Sequence, residues 1–211
     1  MKAEVRPARP DDAFSAVPLI YSSGPATFDY VLAESGPEQT TAFVSRAFQD
    51  DIGELGYSRH VVVEIEDEIV GVGAGFGEAD LSGAMLRGIR HVLLLYGVVG
   101  GVGVVRRALQ VERVVQPPRG DAHCIAHLGV APAWRGKGIG SLLLEHLFQQ
   151  GRARNRALAV LDVAVTNPRA QALYERHGFR VTAESVSTLR RGEYVVAGHR
   201  RMERSIAVNW A

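Results

Sequence analysis

Length, composition and charge limit what this protein can be. The chain has 211 residues, 46% of them hydrophobic, and a formal net charge of +1. This length predicts one domain over residues 1–211 with a substantial core, and the near-neutral charge predicts neither a nucleic-acid nor a membrane partner. The single cysteine, Cys124, excludes an intrachain disulfide and a multi-cysteine metal site. We expect no metal. Because the first residues lack the apolar core of a signal peptide, we also expect a cytoplasmic protein.

The first third of the chain predicts strands and helices in alternation. A short strand at residues 4–7 is followed by a helix that Asp11 can cap, and residues 24–25 end that helix. A loop carrying Phe28, Asp29 and Tyr30 precedes a second helix at about residues 37–50. Two β-branched runs at residues 59–65 and 69–76, joined by three acidic residues, predict an antiparallel hairpin.

The next segment, at about residues 81–115, is an apolar insertion. Its glycines predict two helices separated near residues 97–101. The nearly uncharged stretch at residues 92–105 has about 14 residues, fewer than the roughly 20 that a helix needs to cross a bilayer. The sequence therefore favours a buried helix pair, or one that forms a homodimer, over membrane contact.

The remainder predicts a mixed α/β sheet flanked by helices. A strand at residues 122–130 leads into a glycine-rich loop and a helix at residues 140–154. An apolar strand at residues 157–165, a short helix at 168–177 and strands at 179–184 and 194–205 follow.

The glycine-rich loop predicts a phosphate site. Gly136, Gly138 and Gly140 allow backbone N–H groups to converge at a helix start, where the helix dipole favours an anion, and Arg135 and Lys137 add positive charge. The loop lacks the long glycine spacing of a Walker A sequence and the acidic ribose partner of a dinucleotide fingerprint. A different phosphate ligand is expected.

Two motifs resemble the GNAT family of N-acetyltransferases. The loop Arg-Gly-Lys-Gly-Ile-Gly at residues 135–140 is similar to the family's pyrophosphate loop, and the segment from Asn167 to Phe179 is similar to its Asn-x-x-Ala-x-x-Leu-Tyr-x-x-x-Gly-Phe stretch. The resemblance implies a mixed, mostly antiparallel sheet and acetyl-CoA as cosubstrate. The residues that it implies for coenzyme binding are Leu128, Gly129, Val130, Arg135, Gly136, Lys137, Gly138, Ile139, Gly140, Ser141, Asn167 and Ala170.

The same resemblance implies catalytic roles. Tyr174 stands where the family protonates the departing thiolate, although its ring could also simply pack on a helix face. For the general base, strand alternation places His123 and His127 on one face, with His127 as the first candidate and His123 as the second. The alternative is a packed or solvated histidine, with a water molecule acting through another residue. Cys124 is predicted to be a small buried residue and not an acyl carrier.

The predicted activity is direct acetyl transfer from acetyl-CoA to a primary amine in a ternary complex. Phe28, Asp29 and Tyr30 are candidates for the acceptor pocket, with Asp29 pairing an ammonium group, beside the alternative of an ordinary loop. The insertion favours a small-molecule amine as the acceptor. Two alternatives are a protein N-terminal or lysine acetyltransferase and a non-catalytic coenzyme A-binding sensor or assembly module.

Overall fold

The computed structural model describes residues 3–82 and 85–207, so residues 83 and 84 of the predicted insertion lie outside the described residues. Seven strands form one sheet in the order β1-β2-β3-β4-β5-β9-β6, and only the β4–β5 pair is parallel. A two-stranded hairpin, β7–β8, stands apart. The strands are β1 (Glu4–Pro7), β2 (His60–Ile65), β3 (Glu68–Phe76), β4 (Ala122–Val130), β5 (Leu158–Ala164), β6 (Arg180–Ser185), β7 (Arg190–Arg191), β8 (Tyr194–Val195) and β9 (His199–Ser205). The predicted mixed, mostly antiparallel sheet is confirmed.

Helices cover both faces of this sheet. They are α1 (Ala13–Ser22), α2 (Pro25–Leu32), α3 (Pro37–Gln49), α4 (Glu78–Ser82), α5 (Met85–Val111), α6 (Ile139–Ala153) and α7 (Pro168–Arg176). On one face, α6 buries Leu143, Leu144, Leu147 and Phe148, whose spacing forms a single apolar stripe, against β2–β5. On the other face, α1 packs against β3 and β4 and α3 packs against α1, and Val62 and Val72 of the sheet belong to the same apolar cluster. The two faces are called the α6 face and the α1–α3 face below.

Two local predictions differ from the structure. The predicted loop at residues 28–30 is part of α2, which Pro25 can start because its fixed φ suits the first helical turn. The predicted strand at residues 194–205 is divided, because Tyr194 and Val195 pair with β7 around Gly192 (φ 57°), and β9 begins only at His199.

The apolar insertion folds back on itself. α5 breaks at Gly97, whose φ of 67° and ψ of −178° are not helical, and a Cβ placed on Gly101 would lie 3.6 Å from the Cα of Leu93. Two residues this far apart in the sequence cannot meet in a straight helix, so α5 is a helical hairpin, as the glycines predicted.

By length and composition alone, residues 88–111 would be long and apolar enough to cross a membrane. This segment is longer than the apolar stretch of about 14 residues identified from the sequence. Only 17% of the most apolar window in this segment is buried, and Leu94, Val98 and Val99 are exposed, so an enclosed helix pair is not what forms; the homodimer alternative stays a prediction.

A bulge in β4 changes which residues share a face. His127 has a φ of 54°, and the β3–β4 register shifts between Val72 and Ala74. His123 is fully buried on the α6 face, where it would touch a Cβ placed on Gly151, whereas His127 lies on the α1–α3 face beside His60. The prediction that alternation puts both histidines on one face is wrong, because the bulge inserts an extra residue and reverses the alternation.

Candidate active site

A large cavity opens where β4 and β5 separate. The two strands pair only from Ala122–Leu158 to Cys124–Val160, and beyond that point each continues without the other. The cavity has a volume of about 1530 Å³. It runs from the glycine-rich loop and α7, through the gap between the strands, to α2 and α5. One space therefore joins the predicted coenzyme site to the α1–α3 face.

The glycine-rich loop forms a cradle at one end of this cavity. Gly136 (φ 78°) and Gly138 (φ 85°) hold left-handed conformations that turn the chain into α6. The N–H groups of Ile139 and Gly140 have no acceptor among the described residues, because the first hydrogen bond of α6 is from Leu142 to the Gly138 carbonyl at 3.0 Å. Unpaired donors and the positive helix end suit a pyrophosphate.

The backbone of β4 presents polar groups to the gap. Ala131 N–H donates to the Val70 carbonyl at 2.9 Å, so Val70 and Ala131 form a hydrogen-bonded pair of the β3–β4 ladder. Alternation then turns the peptide groups of Val130 away from β3 and towards the space left by β5. The Val130 carbonyl accepts from Arg135 Nε at 3.1 Å. Val130 N–H is therefore free to donate to a ligand in the gap.

Helix α7 places Tyr174 in the cavity. The Asn167 side chain caps this helix by accepting from Ala170 N–H at 3.1 Å. The Tyr174 ring packs edge-on against Phe179, with ring centroids 6.0 Å apart, and its hydroxyl has no hydrogen-bond partner among the described residues. Burial raises the pKa of Tyr174 to about 12, so the hydroxyl carries its proton at neutral pH. It can donate that proton to a strong base.

His127 forms a stacked pair with His60. His60 Nδ1 lies 2.9 Å from the Gly56 carbonyl, and His60 Nε2 lies 3.2 Å from His127 Nδ1. A carbonyl only accepts, so His60 carries its proton on Nδ1 and accepts from His127 Nδ1–H, which leaves His127 Nε2 as a free acceptor. Burial lowers the pKa of His60 to about 4, and burial together with His60 lowers that of His127 to about 3. Both rings are neutral at pH 7.

The sequence analysis missed Asp162, which lines the same cavity from β5. Its carboxylate accepts from Arg201 Nη1 at 2.8 Å, and it is nearly buried on the face shared with Cys124 and Val160. Burial raises the pKa of Asp162, and the Arg201 charge opposes that rise. Asp162 is the only charged residue in the apolar run at residues 157–165, which was a signal that the sequence offered.

Charges in the cavity are separated by sign. Arg135, Arg169 and Arg176 line it at the end with the glycine-rich loop and α7. The lining also includes Glu54, which follows α3, Glu112, which follows α5, and Asp162 on β5. The arginine end favours a phosphorylated ligand. Burial and the nearby Glu112 raise the pKa of Glu54, and a cationic ligand between the two carboxyl groups would oppose that rise.

The structure brings together most of the predicted site residues. The cavity lining includes Tyr174, His127, Phe28, Leu128, Gly129, Val130, Arg135, Gly136, Gly138, Ile139, Gly140, Ser141, Asn167 and Ala170. Lys137 is outside the lining, with its Nζ 4.6 Å from the centre of the Trp134 ring.

The acceptor candidates on α2 are divided. Phe28 faces the cavity, with its ring 5.8 Å from that of His127. Asp29 is buried outside the lining, where it accepts from Tyr21 O–H at 2.6 Å. Tyr30 donates to Gln110 on α5 at 2.9 Å. Asp29 and Tyr30 thus hold α2 in place and do not line the cavity.

Comparison with known proteins agrees with this arrangement. A model of the acetyltransferase (GNAT) family matches residues 27–179, more than half of the chain, and the chain therefore belongs to that family. It is 35% identical over 80 residues to the ribosomal protein bS18-alanine N-acetyltransferase of Salmonella typhimurium. That match covers 37% of this chain and 51% of the relative, so the chain spans about half the length of the relative.

Solved structures share the fold. An N-acetyltransferase from Staphylococcus aureus Mu50 has a TM-score of 0.68 at 17% identity, covering 95% of this chain and all (100%) of that one. The acetyltransferase yncA from Salmonella typhimurium, solved with its cofactor acetyl-CoA, has a TM-score of 0.57 at 16% identity, covering 100% of this chain and 98% of that one.

Proposed function

We propose that the protein is an N-acetyltransferase that moves an acetyl group from acetyl-CoA directly to a primary amine. The observation that carries the proposal is the single cavity with a phosphate cradle at one end and carboxylates at the other. The cradle would hold the pyrophosphate through the N–H groups of Ile139 and Gly140 and the charge of Arg135. Acetyl-CoA would supply the activated acetyl group as a thioester.

Two groups of the chain would take part in the transfer step itself. Val130 N–H would donate to the thioester carbonyl oxygen, where negative charge develops as the amine nitrogen attacks. The C–N bond forms, the C–S bond breaks, and Tyr174 O–H would give its proton to the departing thiolate. The new amide nitrogen would lose its second proton to solvent, and Tyr174 would recover a proton from solvent. Direct transfer is favoured over an acyl-cysteine because burial raises the pKa of the Cys124 thiol, which keeps it protonated.

We place Asp162 ahead of His127 as the group that takes the proton from the acceptor ammonium. A general base works best when its pKa lies near the operating pH. Burial raises the pKa of Asp162 and lowers the pKa of His127. The carboxylate becomes a stronger base and the imidazole a weaker one. His127 Nε2 would instead accept a hydrogen bond from the amine and orient it beside Phe28.

The acceptor that we propose is a small amine with an apolar body. Phe28, Phe43, Val92 and Val104 line the cavity towards α5, which covers this end. An apolar body would replace water there, and Glu54 and Glu112 would attract the ammonium group. An α-amino group of a protein is the second candidate, because the Salmonella relative carries the name of a protein-alanine acetyltransferase.

The test is release of the coenzyme A thiol with a panel of small amines and a set of peptides with free N-termini. Turnover with amines and none with peptides supports the small acceptor, and the reverse supports the protein acceptor. Coenzyme binding without turnover on either panel would contradict the enzymatic proposal and favour a sensor.

Two variants separate the roles of the candidate base residues. Asp162→Asn is expected to lower kcat by about 10²-fold or more and to remove the acidic limb of the pH profile, while Asp162→Glu retains more activity. His127→Gln is expected mainly to raise the acceptor KM. If His127→Gln lost kcat and Asp162→Asn did not, with both variants folded by thermal melting, the assignment would be reversed.

A further inference from the structure

The outer side of the helical hairpin is a continuous apolar surface. The exposed fractions are 71% for Leu94, 73% for Val98, 90% for Val99 and 62% for Val102, and Leu93 and Leu95 are also exposed. These residues flank the break at Gly97 and form what we call the hairpin tip, residues 93–102. Exposed apolar patches of this kind mark interaction sites. Nothing in the acetyl-transfer proposal uses them.

Arginines surround the hairpin tip. Arg90 and Arg106 are exposed on its two arms, and Arg190 is exposed on β7. None of the three forms a salt bridge or side-chain hydrogen bond within residues 3–82 and 85–207. A second concavity brings Arg106, Arg107, Arg190 and Arg191 together beside Val102 and Gly103. Only Arg107 and Arg191 are paired, both with Glu34.

We propose that this surface binds an anionic phospholipid bilayer. The hairpin tip would enter the headgroup region, and the concavity with Arg106 and Arg190 would receive lipid phosphates. Apolar side chains with arginines beside them are the arrangement that holds a protein on an anionic membrane surface. The arms, at residues 85–96 and 98–111, are each about 20 Å long, shorter than the roughly 30 Å hydrocarbon core. The hairpin therefore lies on the bilayer and does not cross it.

Charge favours a bilayer over a second copy of the chain. Residues 85–111 include four arginines and no acidic residue. A two-fold interface through the hairpin tip would bring the unpaired arginines of two copies to the same contact. Anionic lipid headgroups supply the missing negative charge. The proposal departs from the expectation from the sequence that the protein has no membrane partner.

The test is flotation of the whole protein with vesicles of phosphatidylcholine alone or mixed with phosphatidylglycerol. We expect binding to the mixed vesicles that weakens as salt rises. Leu94→Glu and Val99→Glu should each lower binding at least tenfold. Arg106→Gln and Arg190→Gln should each lower it about fivefold. The matched control is Phe14→Glu, which changes an apolar residue that is 91% exposed on α1 and should leave binding unchanged.

Four outcomes would overturn the proposal. The first is no binding to the mixed vesicles, and the second is equal loss in Leu94→Glu and Phe14→Glu. The third is a dimer in sedimentation that Leu94→Glu converts to a monomer, which would assign the surface to a second copy. Binding of inorganic phosphate to Arg106 and Arg190 without any vesicle binding would likewise assign the concavity to a free anion. Acetyl transfer in solution serves as an independent check that each variant is folded.

Discussion

Replacement of Gly138 by valine tests the phosphate cradle most directly. Gly138 has a φ of 85°, and a Cβ placed there would meet no protein atom within 4 Å, so a side chain would occupy the space beside the free N–H groups of Ile139 and Gly140. Loss of one hydrogen bond to a charged phosphate costs about 1.5–3 kcal/mol. The dissociation constant for coenzyme A should therefore rise roughly 10- to 150-fold by isothermal calorimetry.

The left-handed backbone at this position adds a separate cost, which needs its own control. A non-glycine residue in that conformation costs about 1–2 kcal/mol of folding free energy. Gly120→Val shares this cost, since Gly120 has a φ of 61° and also no neighbour within 4 Å, but it lies outside the cavity. Both variants should have a lower melting temperature than the unchanged protein, and only Gly138→Val should lose coenzyme affinity. Equal affinities in the two variants would refute the cradle.

Three further predictions concern catalysis, packing and pH. Tyr174→Phe should lower kcat by about 10²–10⁴-fold with little change in coenzyme affinity, and full activity would leave Tyr174 a packing role. Gly129→Ala should destabilise the fold by about 1–3 kcal/mol or more, because the new Cβ would lie 2.2 Å from the Leu19 carbonyl oxygen; an unchanged denaturation midpoint would contradict that contact. Folding lowers the pKa of His60 from 6.5 to about 4, so the unfolded chain binds more protons in that window. The free energy of unfolding should then fall by up to about 3 kcal/mol as pH drops through it, and His60→Gln should flatten the dependence.

Much of the fold could be predicted because its signals are local and repeated. The β-branched runs before and after residues 66–68 predicted the β2–β3 hairpin, and the leucines after Gly140 predicted the buried side of α6. The glycines near residue 97 predicted the division of α5. Which side of that hairpin meets solvent could not be predicted, because both sides are apolar and the pattern contains no polar face.

The acceptor end of the cavity could not be predicted, because it depends on one backbone conformation. Alternation along β4 assumes extended residues throughout, and His127 with its φ of 54° breaks that assumption. No local signal requires a histidine to adopt this conformation, and the tertiary structure imposes it through the β3 register. The bulge turns His127 towards His60 and Phe28 while Leu128 remains on the α6 face beside Leu147. The same bulge thus leaves the β4 backbone facing the coenzyme end and moves one imidazole to the acceptor end. Asp162 reaches the cavity by ordinary alternation, so the single charged residue of the apolar run at 157–165 was the sequence signal for the residue that we propose as the base.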